Sequence, residues 1–216
     1  MDAQEASRPS SASPARRPAK PLQSSSAKTQ YLILYNFVSA VLWLVVLGRV
    51  VLLIPLVGFG RVYGGVGQFT KWTQTLALME VVHAAAGLVR APIGTTAMQV
   101  ASRLLLVWGV VDAFPFLAKS AGYSSMLLAW SVTEVIRYSY FTLNLSGLLP
   151  DFLAWLRYNT FYILYPLGIS SECWLVYSAI EPARSRKLEY AWVLQLILFI
   201  YVPGEHSLDI HDERGR

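Results

Sequence analysis

Two side chains in one apolar segment have the types and the spacing of an acid–base pair. Tyr165 and Glu172 lie seven residues apart, which is two helical turns, so both side chains point to one helix face. Pro166 lacks a backbone donor, which predicts a kink that brings the phenol and the carboxyl towards one cavity. Such groups can accept and return protons. On composition and spacing alone, the preferred interpretation is that Tyr165 is an interfacial tyrosine and Glu172 a carboxyl near the far membrane face.

Ionisable side chains interrupt several apolar segments, where each charge costs about 2.5–3.5 kcal/mol and therefore needs a partner or a function. These residues are Glu80, His83, Arg103, Asp112, Glu134, Arg137 and Glu172. Glu134 and Arg137 are three residues apart, as are Glu80 and His83, so each two can pair on one helix face. The first pair either holds helices together or serves a site. We expect His83 to be a packing histidine, because the apolar segments contain no second histidine for a metal site.

Two other patterns are excluded by their spacing. Cys173 suggests a phosphatase nucleophile, but that chemistry needs an arginine six residues later, where Ala179 stands, and no cationic neighbour would lower the thiol pKa. The glycines of residues 58–67 miss the spacing of a nucleotide-binding loop, and no strand precedes them. We expect residues 58–67 to form an extramembrane loop.

The elements that carry these residues are predicted to be membrane helices. Of the 216 residues, 55% are hydrophobic and 14% are charged, too few polar residues for the surface of a soluble multi-domain enzyme. Continuous apolar runs favour helices over a barrel. We predict an all-α transmembrane bundle of about six spans, the last one incomplete, with five spans as the alternative. The predicted spans are residues 32–55, 74–89, 97–118, 124–145, 159–180 and 190–203.

Polar segments flank this predicted membrane domain, which covers residues 29–204. Residues 1–28, rich in Ser, Ala, Pro and Arg, predict a disordered tail, and residues 205–216 form a polar C-terminal tail. Much of the net charge of +5 precedes the first apolar run, which argues for a topology signal and against a nucleic-acid partner. The positive-inside rule then places the N-terminus in the cytosol.

Four segments in order carry a family resemblance: Glu80–His83, Arg90–Arg103, Leu128–Tyr138 and Arg157–Glu172. Together they resemble the very-long-chain (3R)-3-hydroxyacyl-CoA dehydratase family, also called protein-tyrosine-phosphatase-like, over about residues 31–204. The resemblance implies a six-span enzyme of the endoplasmic reticulum membrane that uses no metal or redox cofactor. It converts (3R)-3-hydroxyacyl-CoA into trans-2-enoyl-CoA, the third step of each fatty-acid elongation cycle.

The resemblance also implies partners and site residues. The partners are the lipid bilayer, the acyl-CoA substrate, and the condensing enzyme, ketoacyl reductase and enoyl reductase of the cycle. The catalytic tyrosine and glutamate of the family fall on Tyr165 and Glu172, which reverses the preference for the interfacial reading. Our hypothesis is that Glu172 takes the C2 proton while Tyr165 hydrogen-bonds or protonates the C3 hydroxyl.

Arginines are the candidate substrate-binding residues, because guanidinium groups donate bidentate hydrogen bonds to phosphate. The candidates are Arg90, Arg103, Arg137 and Arg157. Arg90 and Arg157 lie near the predicted cytosolic mouth, where we expect them to bind the phosphates of CoA. The alternative is that Arg90 and Arg157 are ordinary arginines at the cytosolic membrane boundary.

The sequence departs from the family pattern after Gly204, where the family continues apolar and this chain turns polar. This departure predicts a truncated C-terminus and keeps a second interpretation open, a catalytically inactive membrane scaffold derived from the same family. A small transporter is a third class, but we see no internal repeat of the kind transporters often carry.

Overall fold

The computed structural model describes residues 26–201. The predicted C-terminal tail at 205–216 and most of the predicted N-terminal tail lie outside these residues. The first helix begins earlier than predicted, at Ala27, because the Ser26 side chain caps it by accepting a hydrogen bond from the backbone N–H of Thr29.

Within the described residues the chain is helical and contains no strand, which confirms the predicted all-α class. Helix α4 continues directly into a π-helical segment at Leu105–Asp112. The helices are α1 Ala27–Val57, α2 Val62–Thr75, α3 Leu78–Ala85, α4 Ile93–Leu104, α5 Ala121–Leu145, α6 Asp151–Asn159, α7 Phe161–Arg186 and α8 Leu188–Tyr201.

Among the described helices, 3 are long and apolar enough to cross a membrane: α1, α4 together with its π-helical extension, and α7. They match the spans predicted at 32–55, 97–118 and 159–180. Helix α5, with 25 residues, matches the prediction at 124–145, and α8 is the short apolar helix expected from 190 onward. The architecture is that of a multi-pass membrane protein.

The segment predicted to span the membrane at 74–89 is not one continuous helix. A turn at Leu76 and Ala77 divides this region into the end of α2 and the short helix α3. The segment 58–67, predicted to be an extramembrane loop, is partly helical, because α2 begins at Val62. A Cβ on Gly65 would lie 2.6 Å from a Leu53 methyl group of α1. The missing side chain therefore lets α1 and α2 pack closely, and this packing outweighs the poor helix propensity of glycine.

Helix α5 lies at the centre of the bundle, between α1 and α7, and α8 packs against α7. The core side chains of α1, α5 and α7 include Trp43, Val46, Val50, Met126, Leu127, Trp130, Leu175, Val176 and Ala179. Gly168 brings α7 close to α5, because a Cβ there would lie only 3.7 Å from the Ala129 Cβ. Ser125 and Trp130 of α5 form hydrogen bonds to Ser171 and Glu172 in the middle of α7.

Helix α7 runs without a break through Pro166, so the kink predicted there does not divide it. Pro166 comes only five residues after Phe161, the first residue of the helix. Pro166 lies past the first four N–H groups of the helix, so it removes one hydrogen bond of the ladder, the one to the Tyr162 carbonyl, and the helix continues around it.

Candidate active site

Glu172 lies at the interface of α5 and α7, where its side chain is buried. The indole Nε1 of Trp130 donates a hydrogen bond to Glu172 Oε1 at 2.7 Å. The guanidinium of Arg103 also interacts electrostatically with this carboxylate. The carboxylate thus accepts from a neutral donor and lies within the field of a cation.

The carboxylate points back along α7 towards Tyr165. Glu172 Oε1 lies 4.0 Å from the position that a Gly168 Cβ would occupy, one turn earlier in the helix. This is the direction that helical side chains ordinarily take. Next to it, Ser171 Oγ and Ser125 Oγ are 2.7 Å apart and join α7 to α5. Gly168 thus lets the two helices approach, and the two serines join them beside the position of Glu172.

Tyr165 has different surroundings, although it lies on the same helix. Its side chain is half-buried, and its ring stacks on Phe161 with the centroids 4.6 Å apart. The neighbouring side chains Tyr162 and Ile163 are 79% and 73% exposed. Residues seven apart in a regular helix have Cα atoms about 10 Å apart along the axis, so Tyr165 and Glu172 lie two turns from each other.

A partly buried charge cluster, formed by Glu80, Arg103, Glu134, Arg137 and Tyr138, adjoins Glu172. Arg137 donates two hydrogen bonds to Glu80, at 3.0 and 2.7 Å, and one to Glu134 at 2.7 Å. Arg103 pairs with Glu134, and the Tyr138 hydroxyl donates to Glu80. Two carboxylates and two guanidinium groups balance in charge, so the cluster joins α3, α4 and α5 without a net buried charge.

The predicted pairing of Glu134 with Arg137 is confirmed, and the possible pairing of Glu80 with His83 is wrong. His83 Nε2 lies 2.8 Å from the Tyr31 hydroxyl, and the Tyr35 ring packs against the imidazole at 4.7 Å. With 3% of its surface exposed, His83 is the packing histidine that the sequence predicts.

The four candidate substrate-binding arginines separate into two groups. Arg103 and Arg137 are bound to carboxylates of the charge cluster. Arg90 is exposed between α3 and α4.

Arg157 lies on the short helix α6, and its Cζ is 4.5 Å from the Tyr140 ring centroid and 4.8 Å from that of Phe141. Its Nη1 is buried without a hydrogen-bond partner among the described residues. Arg157 therefore keeps an oriented donor available, whereas the donors of Arg137 are used inside the protein.

Two interactions were not predicted from the sequence. Trp130 gives no functional signal in the sequence, because a tryptophan in an apolar segment indicates a core residue. It does share a helix face with Glu134 and Arg137, at positions i, i+4 and i+7. Lys71, which precedes the segment predicted to span the membrane at 74–89, is a buried residue of α2 and pairs with Asp112 at 2.8 Å. Asp112 was expected to need a partner, but its identity depends on the packing of α2 against the π-helical segment.

An open cavity of about 370 Å³ is present at another place in the bundle. Arg61, Tyr63, Phe116 and Lys119 are among its lining residues, and neither Tyr165 nor Glu172 belongs to its lining. The described cavity therefore does not coincide with the predicted one.

Comparisons with known proteins agree on one family. The protein tyrosine phosphatase-like protein family, PTPLA, matches residues 74–211, a region that extends past Gly204. A Schizosaccharomyces pombe protein named probable very-long-chain (3R)-3-hydroxyacyl-CoA dehydratase is 44% identical over 85% of this chain and 89% of its own length. The Arabidopsis thaliana dehydratase PASTICCINO 2 is 34% identical over 83% of this chain and 88% of its own.

A human relative, very-long-chain (3R)-3-hydroxyacyl-CoA dehydratase 2, is 33% identical over 85% of this chain and 78% of its own length. No solved structure matches this chain. The identity extends across most of both chains in a fungus, a plant and an animal. The chain belongs to the protein-tyrosine-phosphatase-like family, the family of the very-long-chain (3R)-3-hydroxyacyl-CoA dehydratases.

Proposed function

We propose that this protein dehydrates (3R)-3-hydroxyacyl-CoA to trans-2-enoyl-CoA, with Glu172 and Tyr165 as its acid–base residues. The observation that carries the proposal is the environment of Glu172, a buried carboxylate that accepts a hydrogen bond from Trp130 and points along α7 towards Tyr165. Membership of a family whose curated relatives are named dehydratases supports the choice of reaction.

Elimination of water needs a base at C2 and an acid at the C3 hydroxyl. Glu172 removes the C2 proton, which the thioester acidifies, and the C–H electron pair becomes the C2=C3 double bond. The C3–O bond breaks, and its electron pair leaves with the oxygen, which takes a proton from the Tyr165 hydroxyl to form water. Return of the proton from Glu172 to the tyrosinate restores both residues, so no cofactor is consumed.

The substrate itself has to close the distance between the two groups. Tyr165 lies two turns nearer the start of α7 than Glu172 does, and its ring is stacked on Phe161. A bound 3-hydroxyacyl group presents its C2 proton and its C3 hydroxyl on neighbouring atoms, so the phenol must leave this stack and turn towards the carboxylate. The half-exposed position of Tyr165 leaves space for that rotation.

The surroundings of α7 suit a lipid-like substrate whose head remains in water. Large apolar side chains are exposed along its first turns, with Phe161 at 54% and Ile163 at 73%. Arg157 precedes this segment and keeps a buried Nη1 without a partner among the described residues. We propose that Arg157, with the exposed Arg90, binds the phosphates of CoA while the acyl chain lies along α7.

The cellular setting belongs to the same proposal. The reaction is the third step of fatty-acid elongation, so the protein would act in the endoplasmic reticulum membrane with its N-terminus in the cytosol. It would act beside a condensing enzyme, a ketoacyl reductase and an enoyl reductase, because these supply its substrate and consume its product. The many apolar helices support a membrane location.

The direct test is an assay of the purified protein with (3R)-3-hydroxyacyl-CoA, in which formation of enoyl-CoA is followed. The double variant Tyr165→Phe/Glu172→Gln should lose at least about 100-fold in rate, which is the scale of acid–base catalysis. The matched control is Tyr177→Phe/Glu181→Gln, which makes the same two changes at positions of α7 that are 63% and 81% exposed. A well-folded wild type that forms no enoyl-CoA would leave the inactive scaffold as the function.

A further inference from the structure

Trp130 lies between the charge cluster and the proposed base, and dehydration as described above gives it no role. Its side chain is 2% exposed. Its Nε1 donates to Glu172 Oε1 at 2.7 Å, and its ring lies 4.9 Å from the Cζ of Arg103. One rigid side chain of α5 thus contacts both the carboxylate of α7 and the guanidinium of α4.

The chemistry of indole suits it to hold a carboxylate that must exchange protons. The Nε1–H group is a donor only, and it carries no charge. It orients the carboxylate without neutralising it, and it does not compete as a proton acceptor. A Trp side chain has only two rotatable χ bonds, and burial in the core fixes them. The donor therefore stays in one place while the proton moves on and off Glu172.

Arg103 takes part through the face of the same ring. Its guanidinium is paired with Glu134, and it lies over Trp130 while interacting electrostatically with Glu172. A cation over an indole face is attracted by the ring quadrupole, and the attraction is stronger away from water. The charge cluster is in this way connected to Glu172 through Trp130.

We propose that Trp130 is a positioning residue that fixes the Glu172 carboxylate for abstraction of the C2 proton. The inference rests on the proposed function, since it assigns a support to the base of that reaction. Trp130 is buried away from the exposed first turns of α7, so it orients the base and leaves substrate affinity to other residues.

The indole N–H donor of Trp130 can be removed while an aromatic ring is kept at this position. Trp130→Phe deletes the N–H group and part of the ring, and replacement of Trp130 by 3-benzothienylalanine deletes the N–H group while preserving the shape. The matched control is Trp43→Phe, which removes another indole that is 2% exposed, on α1. Each full-length variant is purified, its folded fraction is measured, and dehydration of ordinary and C2-deuterated 3-hydroxyacyl-CoA is compared.

We expect both Trp130 variants to lower kcat about 10- to 100-fold, the scale of one hydrogen bond to a charged group, with KM within about twofold. The kinetic isotope effect at C2 should increase, because transfer of that proton becomes slower than the other steps. Trp43→Phe should keep the wild-type isotope effect, since loss of folded protein alone does not change it.

Two results would overturn the inference while leaving the proposed function intact. The first is an active wild type whose benzothienylalanine variant keeps the full kcat. The second is a Trp43→Phe variant that loses as much kcat per folded molecule as Trp130→Phe. A folded wild type that does not dehydrate 3-hydroxyacyl-CoA would overturn the proposed function and this inference together.

Discussion

The two proposed catalytic side chains share one helix but differ in how firmly the protein holds them. Glu172 is buried at the α5–α7 interface and accepts a hydrogen bond from Trp130. Tyr165 is half-buried among exposed side chains, and its described ring contact is with Phe161 of its own helix. The carboxylate is buried against a neighbouring helix, whereas the phenol lies closer to the surface of the bundle.

This difference has a physical basis in what each residue must do. A base that attacks a weakly acidic C–H bond depends strongly on alignment, which a preorganised carboxylate provides. A phenol that meets a hydroxyl group at the end of a flexible substrate can adjust by rotation. Substitutions near Glu172 should therefore have larger effects than substitutions of similar size near Tyr165.

The largest effect is expected from breaking the charge cluster beside Glu172. Arg137→Ala leaves the carboxylates of Glu80 and Glu134 without their shared cation, which should destabilise the fold by about 3–5 kcal/mol. Thermal unfolding of the detergent-solubilised protein measures this change. The control is Arg184→Ala, which removes a pair of 3.8 Å whose side chains are 51% and 81% exposed and should cost about 0–1 kcal/mol. Equal losses of unfolding free energy in Arg137→Ala and Arg184→Ala would show that the charge cluster does not stabilise the surroundings of Glu172.

A smaller effect is expected from filling the space beside the Glu172 carboxylate. Gly168→Leu inserts a branched side chain where even a Cβ lies 3.7 Å from Ala129 and 4.0 Å from Glu172 Oε1. Overpacking of this kind costs about 1–3 kcal/mol, and the displaced carboxylate should lower the dehydration rate about tenfold or more. Gly48→Leu is the control, because a Cβ there meets nothing within 4 Å. Activity retained in Gly168→Leu would mean that Glu172 needs no fixed position.

The smallest effect is expected at the Tyr165 end of α7. Phe161→Ala removes the stacking partner of the tyrosine, but Phe161 is 54% exposed, so stability should change by less than about 1 kcal/mol. The dehydration rate should stay within about threefold of wild type, since an aromatic pair at an exposed position is worth only about 0.5 kcal/mol. Steady-state kinetics of Phe161→Ala are compared with those of the control Ile163→Ala, which truncates another exposed side chain of α7. A tenfold loss confined to Phe161→Ala would show that the phenol is held as firmly as the carboxylate.

Much of the architecture could be predicted from the sequence because it depends on local patterns. Apolar runs located α1, α5 and α7, and the spacing of three residues paired Glu134 with Arg137. Because the apolar segments contain no second histidine, the sequence predicted that His83 is a packing residue. Motif resemblance then selected Tyr165 and Glu172 as candidates, an assignment that remains a prediction.

Other features depend on how helices pack, which one sequence does not encode in a readable form. The contact of Trp130 with Glu172 requires the register of α5 against α7, a relation between residues 42 positions apart. The helix α2 forms across glycines because they fit against α1, contrary to their intrinsic propensity. Pro166 predicts a kink in α7, and the helix continues through this residue, so the kink stays a prediction.

The most direct measurement is the single-turnover rate of (3R)-3-hydroxyacyl-CoA dehydration by Glu172→Gln, beside that of Glu181→Gln on the same helix. Both changes replace a carboxylate by an amide of the same shape, one at the buried position and one at the exposed position. If Glu172 takes the C2 proton, its variant should lose at least about 100-fold in rate, and the Glu181 variant should match wild type. A folded Glu172→Gln protein that dehydrates the substrate at the wild-type rate would contradict the assignment.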